Sequence, residues 1–297
     1  MSHQIETFFD PATFTLTYIV FDDATRDAVI IDPVLDYDPQ GSKTSTTSAD
    51  QLIAFAKAHQ LKVSWVLETH AHADHLSSSQ YLRNTLGAKV AIGARIREVQ
   101  ETFKTVFDLP VSFPTNGQQF DQLLGDDEVL HVGPLAIKAL ATPGHTPACV
   151  SSQIGNDVFT GDALFMDDYG TGRCDFPRGS AEALYHSVHD KLYSLPDDTR
   201  VFVGHDYQPN GRKLAFQTTI GSAKRNNIQL KAETSKDAYV AMRNARDKTL
   251  QAPRLLFPSV QVNIDAGRLP DAQGNGIRYL RVPVNLGAPS RGDGSPA

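Results

Sequence analysis

The sequence predicts an α/β protein, with a main domain over about residues 1–220 and a C-terminal extension over about 221–297 packed on it. Three observations predict this. Short β-type runs alternate with helical periodicity through the first half. A block of strand-like segments opens the second half. Beyond about Gly221 the texture turns polar and helix-prone, then rich in Pro and Gly.

Taken in order, residues 14–21 and 27–31 are short β-type runs separated by the turn-like Asp22-Asp23-Ala24-Thr25. Residues 36–47 are polar, contain Pro39 and Gly41, and read as a loop. Ser48 and Gln51 have the spacing of a capping box for a helix that carries Leu52, Ile53, Phe55 and Ala56 on one face. Residues 63–68 read as a buried strand, 76–86 as a helix and 89–92 as a strand. The β-rich block covers 128–132, 135–140, 150–154 and 157–160. A helix is expected near 181–195, a strand at 201–203 and a long polar helix over 224–248. Residues 253–297 read as irregular, with a frayed end.

A chain of 297 residues with 40% hydrophobic residues can bury a sizeable core. Its 28 Lys and Arg against 34 Asp and Glu give a formal charge of -6. That balance disfavours a nucleic-acid or anionic-membrane partner, because both need a basic footprint. Two cysteines, Cys149 and Cys174, cannot make a disulfide framework, so a reducing compartment is expected. The first residues resemble no secretory signal, and no apolar run reaches the ~20 residues that span a bilayer. The expectation is a cytoplasmic protein, with homo-oligomer formation left open.

Chemistry concentrates in five segments. Thr69-His70-Ala71-His72-Ala73-Asp74-His75 packs four potential ligands into six positions at a strand end. Imidazoles and carboxylates are the ligands of borderline divalent metals. Alternation in an extended turn aims His70 and His72 at one point, with Asp74 and His75 at a neighbouring one. His145 follows Pro143-Gly144, and Asp162 follows Thr160-Gly161. Glycine permits the tight backbone path that brings the next side chain to a loop apex. The remaining segments are residues 170–176 and Gly204-His205-Asp206-Tyr207. By contrast His3, His59, His131, His186 and His189 stand alone and read as ordinary surface or core histidines.

This ordered set resembles the metallo-β-lactamase superfamily over roughly residues 14–210. The resemblance implies a four-layer αββα sandwich with metal in a groove at one edge. It implies seven ligand positions, His70, His72, Asp74, His75, His145, Asp162 and His205, all filled with the expected residue type. Two metals could therefore be held, as in binuclear hydrolases of this fold.

Two branches compete. Glyoxalase II type thioesterases carry an Arg-Phe-Phe-Glu-like stretch and a His-Glu-Tyr-Thr segment. Persulfide dioxygenases carry Arg-x-Asp-Phe and His-Asp-Tyr. This chain reads Arg173-Cys174-Asp175-Phe176 and His205-Asp206-Tyr207, similar to the dioxygenases. Arg254-Leu255-Leu256-Phe257-Pro258 and Tyr279-Leu280-Arg281-Val282-Pro283 are also similar to that family. The resemblance implies one Fe(II) per chain held by His70, His145 and Asp162, with His72, Asp74, His75 and His205 orienting the ligands. It implies oxidation of glutathione persulfide by O₂ and water to sulfite and glutathione. Arg173 would meet a glutathione carboxylate, and Tyr207 would be a second candidate for a glutathione contact. Two features depart from the pattern: the acidic Asp167-Asp168 pair, which reads as an acidic lip that an anionic substrate such as glutathione persulfide would not favour, and Cys174, in a slot often held by threonine. The alternatives are a binuclear glyoxalase II type thioesterase, a nuclease disfavoured by charge, and a non-enzymatic metal- or thiol-binding regulatory protein.

Overall fold

The computed structural model describes residues 3–286. The strands are β1 (His3–Asp10), β2 (Thr15–Asp22), β3 (Asp27–Ile31), β4 (Val34–Asp38), β5 (Lys43–Ser45), β6 (Lys62–Glu68), β7 (Leu76–Ser77), β8 (Lys89–Gly93) and β9 (Gln122–Leu124) in the first half. The second half holds β10 (Val129–Val132), β11 (Leu135–Ala141), β12 (Val150–Ile154), β13 (Asp157–Phe159), β14 (Arg200–Phe202) and β15 (Gln217–Thr219). The helices are α1 (Thr47–Ala58), α2 (Ser79–Leu86), α3 (Ile96–Val106), α4 (Ala181–His186), α5 (Ile220–Asn226), α6 (Lys236–Asp247) and α7 (Leu256–Asn263).

Two six-stranded sheets form the frame, in the orders β1-β2-β3-β6-β8-β9 and β10-β11-β12-β13-β14-β15. Their facing sides meet in one core, where Leu16, Tyr18, Val29 and Ile31 pack with Leu130, Ile137, Val158 and Val201. The far side of the first sheet is covered by α1 and α2, with Ile19 and Ile30 against Leu52, Ile53 and Leu82. Val90 and Ile92 bury against Ile96, Val99 and Phe103 of α3. Leu184 and Val188 cover the second sheet. This is the four-layer αββα sandwich. Strands β2 and β3 read as continuous apolar runs because both of their faces are buried.

Several local expectations were corrected. Helix α1 starts at Thr47, not at a Ser48 cap: Ser48 donates from N and Oγ to Asp36, at 2.9 and 2.6 Å. The expected 36–47 loop contains the hairpin β4–β5. The expected helix from 76 begins at Ser79, because Leu76–Ser77 pairs with β4. The helix near 181–195 loosens after His186 into a π turn at Ser187–Lys191 and a 3₁₀ turn at Leu192–Ser194. The polar 224–248 stretch divides between α5 and α6. Residues 256–263, expected to be irregular, form α7, and Val260 is fully buried in the α3 cluster. The expected frayed end falls largely at 287–297, outside the described residues.

Candidate metal centre

Strand β6 ends at Glu68 and delivers residues 69–75 to the edge between the two sheets. The loop is nailed down at its first residue. Thr69 donates from N to Asp32 Oδ1 and from Oγ1 to Asp32 Oδ2, both at 2.7 Å. The two glycines act as the sequence predicts. Gly144 has φ +148°, and a Cβ there would stand 2.6 Å from the Leu184 N. Gly161 has φ +48°, and a Cβ would stand 2.5 Å from Thr69 Oγ1. Any larger residue would push His145 or Asp162 off its position.

All seven expected side chains gather there. Ligand atoms of His70, His145 and Asp162 lie within 4.8 Å of one another, and so do those of His72, Asp74 and His75. His205 Nε2 joins the groups, 3.3 Å from both Asp74 Oδ2 and Asp162 Oδ1. One detail differs from the sequence reading. His72 groups with Asp74 and His75, although its ring stays 4.0 Å from that of His70.

Four of the five imidazoles are held through one nitrogen. His145 Nδ1 donates to the Arg173 carbonyl at 2.7 Å, and His75 Nδ1 to the Leu76 carbonyl at 3.1 Å. His70 Nδ1 lies 3.0 Å from Thr69 Oγ1, and His205 Nδ1 lies 3.5 Å from Thr15 Oγ1. His72 is turned the other way, with Nε2 3.0 Å from Asp32 Oδ1 and 3.4 Å from Glu68 Oε2. Buried at the centre and without a hydrogen-bond partner are His70 Nε2, both nitrogens of His72, His75 Nε2, His205 Nε2, Glu68 Oε2, Asp74 Oδ2 and Asp162 Oδ1. So many lone-pair acceptors without a donor in one spot cost on the order of several kcal/mol unless a cation satisfies them. The donor set fits a divalent metal, and metal binding accounts for the geometry.

The electrostatics divide the set: at His72 burial opposes charge, but Asp32 and Glu68 outweigh it and hold the imidazole well above its ordinary value. Burial, with neighbouring His72, holds the His70 imidazole well below its ordinary value. Burial brings His75 down to about 4, so both are neutral and able to ligate near pH 7. Burial opposes ionisation of Asp162, but His205 and His145 outweigh it and hold the carboxyl well below the usual range. Burial also opposes charge on His205, and there Asp74 and Asp162 win, raising it to about 9.

A pocket of about 360 Å³ opens onto the centre, lined by Phe14, Asp74, His145, Asp162, Arg173 and Tyr207 among others. Tyr207 stacks on Tyr169 with centroids 4.6 Å apart. Burial pushes the Tyr207 phenol well above its ordinary value, so it remains a neutral donor. The Arg173 guanidinium is held bidentately by Asp175, at 2.6 Å twice, and its Nη1 donates to the Gln251 carbonyl at 2.7 Å. The expected acidic lip is absent from the pocket lining. Asp168 pairs with Arg212, and Asp167 accepts from Thr218 and Ser222. Cys174 is a buried, packed thiol.

Sequence reasoning missed the residues behind the ligands. Asp32 and Glu68 back His72, and Glu68 Oε1 also accepts from Ser77 and Ser79. Buried Arg243 pairs with Asp247 on α6, and Asp247 Oδ2 accepts from Cys174 N at 2.8 Å. The only available signal was the (i, i+4) spacing of Arg243 and Asp247.

With sandwich and centre in view, the chain's family is plain. Residues 11–205 match the Metallo-beta-lactamase superfamily model, and the chain belongs to that superfamily. A probable metallo-hydrolase of Burkholderia pseudomallei is 48% identical over 95% of this chain and 99% of its own. Glyoxylase B2 of Dictyostelium discoideum is 49% identical over 95% of this chain and 97% of its own. The mitochondrial persulfide dioxygenase ETHE1 of Homo sapiens is 35% identical over 68% of each chain. The crystal structure of ETHE1 from Myxococcus xanthus superposes with a TM-score of 0.72 at 31% identity, covering 89% of this chain and all of that one. The superfamily and the ligand clusters make this a metal-binding protein of an enzyme family. No helix among the described residues is long and apolar enough to cross a membrane.

Proposed function

We propose that the protein is a persulfide dioxygenase that converts glutathione persulfide, O₂ and water to glutathione and sulfite. The observation that carries this reading is the group of His70, His145 and Asp162, of which His145 and Asp162 line the pocket. Two imidazoles and one carboxylate meet on a face that leaves room for further ligands, the pattern of non-haem Fe(II) oxygenases. Bound there, Fe(II) would supply the redox chemistry that O₂ requires and that zinc lacks. The likeness to human and Myxococcus xanthus ETHE1 supports the same choice.

The chain's own groups take the remaining roles. The Arg173 carbonyl fixes the His145 tautomer, so that Nε2 presents its lone pair to the centre. Tyr169, Tyr207 and Phe14 form an apolar wall that shields a persulfide from water. Arg173 and Tyr207 would offer donors to the glutathione part, and His205 Nε2, 3.3 Å from Asp162 Oδ1, would orient that ligand, with His72, Asp74 and His75 given the same role by the likeness to the dioxygenases. The test is O₂ consumption matched by sulfite release with glutathione persulfide, on protein loaded with one iron per chain. Activity with two zinc ions and no O₂ uptake would overturn the reading.

A second reading, a binuclear thioesterase of the glyoxalase II kind, draws on a specific observation. His72 Nδ1, Asp74 Oδ2 and His75 Nε2 form a second cluster of partnerless ligand atoms. The names of the Burkholderia and Dictyostelium relatives favour it. Hydrolysis of a lactoylglutathione-like thioester without O₂ would establish it.

A further inference from the structure

We propose that Asn263, the last residue of α7 in the C-terminal extension, is a positioning residue that sets the shape of the metal-binding loop. Its side chain is 4% exposed, and three hydrogen bonds tie it to that loop. Nδ2 donates to the carbonyls of His72 and His75, both at 2.8 Å. Oδ1 accepts from Ser77 N, also at 2.8 Å. One amide thus ties together the start, the middle and the exit of residues 72–77. No helix or strand supports 72–75, so the fold of this stretch depends on such ties. A buried asparagine can satisfy two carbonyls and one N–H at once because it carries two donors and an acceptor on one rigid plane.

The brace is itself held firmly. Val260 and Ile264 bury in the cluster of Val90, Ile92 and Val99. Gln100 Nε2 donates to the Ile264 carbonyl at 2.9 Å. The turn after α7 lies hard against the loop exit: a Cβ on Gly267, whose φ is +80°, would stand 2.9 Å from the Ser77 carbonyl. The backbone of the extension therefore touches 77–80 directly. The superfamily match ends at 205, so this part of the centre is built by a segment beyond the common domain. Ligand constellations need placement to within about 0.5 Å, and a loop fixed at three points meets that demand.

The inference rests on the metal-centre reading and not on the choice of substrate. It is tested with cobalt(II) on the full chain stripped of metal. Asn263→Asp keeps the shape and the acceptor for Ser77, but turns a carboxylate oxygen toward two carbonyls. Gln261→Ala is the control: Gln261 ties α7 to Arg281, at 2.6 and 2.7 Å, without touching the loop. Asn263→Asp should weaken cobalt affinity on the order of 10–100-fold, as changes behind metal ligands do, and shift the absorption bands of the bound ion. Gln261→Ala should lower the melting temperature while keeping wild-type affinity and bands. If Asn263→Asp gives no folded protein, Asn263→Ala is read the same way. Wild-type affinity and bands in a folded Asn263 variant would overturn the inference. So would an equal loss of affinity in Gln261→Ala, which would mark Asn263 as mere ballast for stability. A wild-type protein that takes up no cobalt would overturn the metal-centre reading as well.

Discussion

Replacing Arg173 by alanine separates a substrate anchor from a loop clamp. The side chain is 20% exposed and lines the pocket, yet its Nε and Nη2 are bound to Asp175. Asp175 is 39% exposed, so solvent screens the pair and its breakage costs folding only about 0–1 kcal/mol. A hydrogen bond to a charged partner is worth about 1.5–3 kcal/mol. If a glutathione carboxylate takes over part of the guanidinium, Arg173→Ala should lower kcat/KM roughly 10–100-fold, mostly through KM. The variant keeps the Arg173 backbone carbonyl that holds His145, so metal content should be unchanged. Arg173→Lys should restore only part, because an ammonium lacks the planar fork. Asp175→Asn should lower KM, because it releases a competitor for the guanidinium. Sulfite release is measured with glutathione persulfide and with a small persulfide lacking the glycine carboxylate. An anchor makes wild type and Arg173→Ala converge on the small substrate. Equal impairment on both substrates would refute the anchor and show that Arg173 holds the loop.

Three further outcomes follow from the same geometry. Metal analysis should find about one iron per chain in wild type and none retained in His145→Ala or Asp162→Ala. His205→Ala should keep the metal and react more slowly, and equal metal loss in all three would point to a binuclear site. Asp247→Ala strands the buried Arg243 cation, whose exposure is 1%, and should cost about 3–5 kcal/mol in denaturant unfolding. A change under 1 kcal/mol would mean that water reaches Arg243. Burial pushes the Cys149 thiol up to about 12 and raises Cys174 as well. Both should resist alkylation at pH 8 in the native protein and react fully in denaturant. The raised Cys149 value makes the folded state favour the protonated thiol. That contribution is complete below the unfolded value of about 8.5 and is lost as pH rises toward 12.

What the sequence revealed follows from what determines each feature. The ligands were legible because their chemistry is local: His70, His72, Asp74 and His75 crowd into one turn, and Gly144 and Gly161 mark the bends that His145 and Asp162 require. The sandwich was legible because β2, β3 and the end of β6 are buried strands with apolar runs, and α1 carries a single apolar face. Strand β1 was not, because its alternating exposure mixes polar and apolar residues at an edge. Helix α7 was missed for the opposite reason. Pro258 and the β-branched Val260 and Val262 argue against a helix locally, and burial against α3 overrides them. The groups behind the ligands were invisible because their partners are distant in the chain. Asn263 meets His72 at a separation of 191 residues, and Asp247 meets Cys174 at 73. No periodicity or motif records such a pairing. The polar texture that marked the C-terminal stretch as an appendage arises partly from side chains that face inward onto the catalytic loops. Arg243, Asp247, Gln261 and Asn263 are all buried there. The extension is polar because the backbone of loops 72–77 and 170–174 has carbonyls and amides to satisfy, and apolar residues could not do so.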